Sequence, residues 1–160
     1  MLRVPRQVLV YLFRRRQDGS VEFLLLKRTE QHGGFWQGVS GAPEWEESDA
    51  EGAVREVLEE TGFSIADSLR PIGFRYELRR QGDPDEEQWE LLYGPGVDAV
   101  PEEVYVAEVP GAAEPVLAPL EHTAFAWCSF ESALDLLRWE NNRLALEAAR
   151  EFIATPEDVN

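Results

Sequence analysis

Gly41-Ala42-Pro43-Glu44-Trp45-Glu46-Glu47-Ser48-Asp49-Ala50-Glu51-Gly52-Ala53-Val54-Arg55-Glu56-Val57-Leu58-Glu59-Glu60-Thr61-Gly62-Phe63 is the stretch that decides how this chain is read. Ser48 and Glu51 have capping-box spacing, and Ala50, Ala53, Val54, Val57 and Leu58 recur at helical intervals. The pattern predicts a helix that starts at Ser48 and stops at Gly62. Its other face carries Glu56, Glu59 and Glu60 at i, i+3 and i+4, where side chains stand ~5–6 Å apart. Three like charges so close are destabilising without a counter-ion, and clustered carboxylate oxygens suit hard divalent cations such as Mg²⁺. By themselves the three carboxylates are more simply read as a solvated acidic face.

Context changes that balance. Gly41, five residues, Glu47, seven residues, then Arg55-Glu56-Val57-Leu58-Glu59-Glu60-Thr61-Gly62-Phe63 resembles, position for position, the Nudix box, G-x5-E-x7-R-E-U-x-E-E-x-G-U with U a bulky aliphatic residue. A chance match is on the order of one in a million per chain. Ser40 replaces a glycine that many members carry, Glu46 replaces a glycine common before the first box glutamate, and Phe63 relaxes the last position. The first two bear on loop shape more than on metal binding. The resemblance implies a loop–helix–loop that binds Mg²⁺ or Mn²⁺ and hydrolyses a nucleoside diphosphate linked to another moiety. It further implies that Glu56 and Glu60 are the principal metal ligands. Glu59 is then a ligand or the group that orients or deprotonates water. Glu47 assists the metal shell, Arg55 holds the glutamates and loop in place, and Gly41 offers its carbonyl. Phosphoanhydride cleavage needs charge neutralisation and an activated water, which a metal site supplies at neutral pH.

Outward from the box, Val8 to Phe13 and Val21 to Arg28 read as a hairpin around Gln17-Asp18-Gly19-Ser20. A glycine-rich loop, His32-Gly33-Gly34, leads into a glycine-interrupted strand over 35–41, where the backbone can come close to another group. Further strands are expected over Pro71–Arg79, Glu103–Val109 and Thr123–Cys128, with closing helices over Phe130–Leu137 and from about Asn142 to Ala154. Gln81 to Glu90, with Gly82, Pro84 and five carboxylates, reads as a solvated acidic loop, and Gly94-Pro95-Gly96 as a turn. The expected fold class is α/β, a mixed sheet between helices, in a single domain over residues 1–160 with a short polar tail at 155–160.

Composition sets the outer limits. The 160 residues are 44% hydrophobic, enough for a core, and 15 Lys plus Arg stand against 31 Asp plus Glu, a net charge of −16. Such a field repels phosphate backbones, so no nucleic-acid polymer is expected as partner, and an anionic substrate needs a cation to mediate. No apolar run reaches the ~18–20 residues that span a bilayer, and the basic, apolar N-terminus is closed too early by Arg14-Arg15-Arg16 to be a secretory signal. A cytoplasmic protein, monomer or homodimer, without membrane partner, is the expectation. Cys128, the sole cysteine, lies in an apolar run and reads as a buried structural thiol. P-loop, nucleophile-elbow and dinucleotide-binding motifs are absent from the sequence.

Beyond the box, Phe35 to Gly41, Leu120-Glu121-His122 through Trp127, and Trp139-Glu140-Asn141-Asn142-Arg143 are similar to the bacterial branch of dihydroneopterin triphosphate and (d)NTP pyrophosphohydrolases. The resemblance implies that Glu121 completes the metal shell and that Arg3 and Arg28 contact substrate phosphates. Ser40 and His122 are further substrate-binding candidates, and Trp36, Trp45 and Trp139 offer aromatic faces for a flat ring. The activity it implies is Mg²⁺-dependent cleavage of a nucleoside triphosphate-like substrate to monophosphate and pyrophosphate. A dinucleoside polyphosphate hydrolase, or a non-catalytic nucleotide-sensing domain, are the alternatives. Retention of Glu56, Glu59 and Glu60 favours the enzyme.

Overall fold

A computed structural model describes residues 1–155 of the chain. Its elements in chain order are β1 (Gln7–Arg15), β2 (Val21–Arg28), β3 (Trp36–Gln37), β4 (Val39–Gly41), α1 (Asp49–Thr61), β5 (Leu69–Arg79), α2 (Trp89–Tyr93), β6 (Ala99–Glu108), β7 (His122–Cys128), α3 (Phe130–Leu136) and α4 (Glu140–Ala154). The strands form one mixed sheet in the order β3-β2-β1-β6-β5, with β4 also on β1 and β7 also on β2. β1 and β6 run parallel, and the other pairs are antiparallel.

β1 is buried on both sides, which explains its near-continuous apolar run. Alternate residues feed two cores. Val8, Val10 and Leu12 pack with Ala53 and Val57 of α1. Leu9, Tyr11 and Phe13 pack with Ala133 and Leu137 and with Ala145, Leu146 and Ala149 of α4. The sheet thus lies between α1 and the α3–α4 pair, the expected α/β layering. Along β1, Val8 to Val10 face β4 while Phe13 to Arg15 face β2. Gly38 permits this change of partner, because a Cβ there would stand 2.8 Å from the Val10 carbonyl oxygen.

Local signals account for most elements. Ser48 accepts from the Glu51 amide while the Glu51 carboxylate accepts from the Ser48 amide, and Gly62 at φ 79° closes the helix. In the hairpin turn, Asp18 Oδ1 accepts from the Ser20 amide and hydroxyl. Cys128 is buried, as its apolar setting predicts. Boundaries move: β5 begins at Leu69, β6 at Ala99 and α4 at Glu140, each earlier than the sequence pattern suggests. The expected solvated loop over 81–90 is a correction. It ends in a 3₁₀ turn (Glu86–Gln88) and α2, and Trp89 and Tyr93 bury with Val100 as a third small core. Two aromatic anchors outweigh the surrounding charge. Residues 156–160, most of the expected polar tail, lie outside the described residues.

Candidate active site

α1, β4, the end of β2, the start of β7 and the 81–93 segment surround a cleft of about 1270 Å³. This exceeds the ~300–1,000 Å³ of ordinary ligand sites. Arg3, Arg28, Ser40, Gly41, Arg55, Glu56, Glu59, Glu60, Glu121 and His122 all line it, as do Trp45 and Trp139. Two expected site residues do not. Trp36 packs against the core on the α3–α4 side. Glu47 sits behind Arg55, whose Nε reaches its two oxygens at 3.1 and 2.9 Å, and Glu47 Oε1 also accepts from the Glu44 amide at 2.8 Å.

Arg55 is the hub of the box. Its Nη2 donates to the Ala42 carbonyl at 3.2 Å, and its Nη1 to Glu56 Oε1 at 3.2 Å and Glu59 Oε2 at 3.1 Å. One planar fork therefore ties the loop to two glutamates of the helix. These hydrogen bonds hold the Glu47 carboxyl below the usual carboxylate range and raise the guanidinium. Gly41 lies directly under Glu56: a Cβ there would stand 2.6 Å from Glu56 Oε1, so any larger residue would push the carboxylate out of its place.

Glu60 is 5% exposed and Glu56 partly buried, while Glu59 is exposed on the rim. Burial first, then the charges of Glu56 and Glu121, push the Glu60 carboxyl well up; burial also raises Glu56, against the pull of Arg55. Among the described residues Glu60 Oε2 has no hydrogen-bond partner, nor has either ring nitrogen of His122, which is 2% exposed with Nε2 3.5 Å from Glu60 Oε1. Burial, with the charges of Arg28 and His32, lowers His122 to about 4, so it is neutral near pH 7. Glu121 is placed by a turn in which its amide donates to the Ala118 carbonyl, and its own carbonyl accepts from the Thr29 amide.

Among the described residues no three ligating side chains are gathered at metal-binding distance. Glu56 and Glu121 nevertheless raise the proton affinity of Glu60, which keeps an orphan oxygen in the cleft wall. An orphaned carboxylate oxygen facing other carboxylates is the donor set a hard divalent cation satisfies. The residues fit such an ion.

The floor of the cleft was not legible from motifs. Glu102, Tyr76, Asn142 and Asp83 also line it. The usable signal was Glu102 between Val100 and Val104, two buried positions of the same period-2 face.

Residues 4–149 match the NUDIX domain model. The chain belongs to the Nudix family, and its fold and homologues are those of a Nudix hydrolase. It is 32% identical over 126 residues to an octanoyltransferase of Myxococcus xanthus, of which it spans only 31%. It is 26% identical over 129 residues to the dihydroneopterin triphosphate diphosphatase of Haemophilus influenzae, covering 78% of this chain and 75% of that one. With the asymmetrical bis(5'-nucleosyl)-tetraphosphatase of mouse it shares 26% over 147 residues, 91% and 89% of the two chains. A Listeria monocytogenes structure described as a NUDIX hydrolase superposes with TM-score 0.77 at 28% identity, over 94% of both chains. The family generally uses divalent metal ions.

Proposed function

We propose that this chain is a Mg²⁺-dependent, or Mn²⁺-dependent, pyrophosphohydrolase that cleaves a nucleoside triphosphate-like substrate, dihydroneopterin triphosphate or a dNTP, to the monophosphate and pyrophosphate. The observation that carries the reading is Glu60, buried beside Glu56 in the cleft wall with an oxygen that no described residue satisfies. Glu56, Glu60 and Glu121, with the Gly41 carbonyl, would hold the ion. When bound, it neutralises phosphate charge and lowers the pKa of water. Glu59, exposed and tied to Arg55, orients the attacking water and takes its proton at a carboxylate oxygen. The water oxygen bonds to the α-phosphorus as the bond from that phosphorus to the bridging oxygen breaks, and the electron pair leaves with pyrophosphate. Arg28 and Arg3 meet the phosphates from the cleft wall. Arg55 and Glu47 position the glutamates without touching substrate.

In this reading residues 1–160 act as one domain in the cytoplasm; among the described residues no helix is long and apolar enough to cross a membrane. Likeness to the mouse tetraphosphatase along 91% of the chain supports a second reading within the same chemistry, a dinucleoside polyphosphate substrate. Product release from dihydroneopterin triphosphate, dNTPs, diadenosine tetraphosphate and ADP-ribose, with Mg²⁺ and with chelator, tests both. Metal-dependent pyrophosphate from a triphosphate supports the first, and turnover confined to the dinucleotide supports the second. No turnover on any of them overturns both.

A further inference from the structure

Gln7, Glu102 and Tyr76 stand in one row across β1, β6 and β5, since Gln7 pairs with Glu102 and Glu102 with Tyr76 in the strand registers. Paired residues share a sheet face, and this row continues the Leu9–Val104 layer beyond the core into the cleft. Glu102 is 3% exposed. Tyr76 donates its hydroxyl to Glu102 Oε1, and Asn142 Nδ2 donates to the Tyr76 oxygen at 3.2 Å. Tyr11 donates its own hydroxyl to the Asn142 backbone carbonyl at 2.7 Å. The hydrogen-bond direction is thus set from Asn142 through Tyr76 to Glu102. Nothing else donates to Glu102 among the described residues. A carboxylate offers about four acceptor positions, and this one uses a single position.

Among the described residues no cation forms an ion pair with Glu102, although the charges of Arg28 and Arg3 act on the neighbouring Asp83. Asp83, half-buried, adds a second negative field, and burial, opposed by the Tyr76 hydrogen bond and reinforced by Asp83, pushes Glu102 up to about 7. Such a site attracts paired neutral N–H donors. The wall beside it is aromatic. Trp139 lines the cleft one helical turn before Asn142 and packs edge-on to Phe35 with centroids 5.8 Å apart. Arg28, on the phosphate side, lies over the same Phe35 ring at 5.1 Å. The same cleft thus carries, besides the carboxylates of α1, a buried acceptor on β6 and an aromatic pair, Phe35 and Trp139.

We propose that Glu102, aimed by Tyr76 and Asn142, is the specificity-determining residue that reads the substrate's heterocycle, accepting the adjacent ring N–H and exocyclic NH₂ of a 2-amino-4-oxopyrimidine edge. Guanine and pterins share that edge. This deepens the proposed function and rests on the same cleft being its substrate site. Adenine presents an acceptor nitrogen beside its amino group, so its lone pair would oppose a carboxylate oxygen. A buried acceptor facing an acceptor is costly to form. Glutamine in place of Glu102 offers one acceptor and one donor, a match for adenine.

Calorimetric titration of the intact protein with GMP, neopterin, AMP and CMP at pH 8 in Mg²⁺ buffer tests this, for wild type and Glu102→Gln. Wild type is expected to bind GMP or neopterin about tenfold or more tighter than AMP, the discrimination typical of a bidentate pair. The GMP and neopterin arms tell the two sources of the edge apart. Glu102→Gln is expected to gain AMP affinity while losing GMP and neopterin affinity, a reversal that misfolding cannot produce. Tyr76→Phe, which keeps the ring, is expected to weaken GMP or neopterin binding several-fold without a gain for AMP. Equal affinities in wild type, absence of binding by all four, or an unchanged preference in a folded Glu102→Gln overturns the assignment. A preference that persists when no substrate is hydrolysed would sink the proposed reaction and leave the heterocycle assignment standing. Hydrolysis without preference does the reverse.

Discussion

Replacing Glu102 by glutamine also changes how stability depends on pH, and by a calculable amount. The carboxyl is 3% exposed and is pushed from 4.5 in the unfolded chain up to about 7 in the fold. Between these values the folded state holds a proton that the unfolded chain has released. The stabilisation is therefore fully present below about pH 4.5 and is lost as pH rises through 7. A gap of about 2.5 pH units corresponds to about 3 kcal/mol. The substituted glutamine side chain remains neutral throughout, and its carbonyl still accepts from Tyr76. The remaining carboxylates, Glu56 and Glu60 included, are common to both proteins, so the difference between variant and wild type isolates this one group. Thermal melts from pH 5 to pH 8 would show the variant gaining on wild type as pH rises. At roughly 2–4 °C per kcal/mol for a chain of this size, the gain is about 5–10 °C. A melting difference that stays constant across that range would refute the buried, proton-holding Glu102.

Three further perturbations bear on the cleft and its supports. Gly41→Ala places a methyl group against the Glu56 carboxylate, so kcat should fall about tenfold or more with little change in melting temperature; wild-type kinetics would detach Gly41 from the site. Trp89→Ala empties the small core with Tyr93 and Val100, a cost of about 3–5 kcal/mol measurable by denaturant unfolding, and an unchanged midpoint would restore 81–90 to a solvated loop. Glu121→Gln should weaken the Mg²⁺ dependence of turnover less than changes at Glu60 do, because Glu121 is exposed and Glu60 is buried; an unchanged metal titration would leave Glu121 a surface carboxylate.

What was legible in the sequence was mostly what short-range chemistry decides. Ser48, Glu51 and Gly62 carry the ends of α1 in their own side chains and backbone preferences, and the helix follows without tertiary information. The spacing of Glu56, Glu59 and Glu60 puts them on one face for the same reason. Arg55 is different. Its distance from Glu56 along the chain is trivial, but its grip on Glu47 and Ala42 depends on how the 41–48 loop folds back. The 81–90 segment misled because five carboxylates, a glycine and a proline argue for solvent, whereas Trp89 and, just beyond it, Tyr93 find a pocket against β6 that only the folded sheet creates. Trp36 differs in the opposite sense: an aromatic face that could have met a flat ring packs against the core on the α3–α4 side, which only tertiary contacts decide. Glu102 carries no local motif. Its meaning arises from strand register, which brings Gln7 and Tyr76 to either side of it.

We propose that buried Glu60 and half-buried Glu56 of α1 make this chain a divalent-cation-dependent hydrolase. The most direct test is turnover of the best substrate as a function of Mg²⁺ for wild type and Glu60→Gln, with circular dichroism to show that both are folded. Hydrolysis is expected to vanish with chelator in wild type and to fall at least ~100-fold in the variant. A folded Glu60→Gln with near-normal, Mg²⁺-dependent turnover would contradict it.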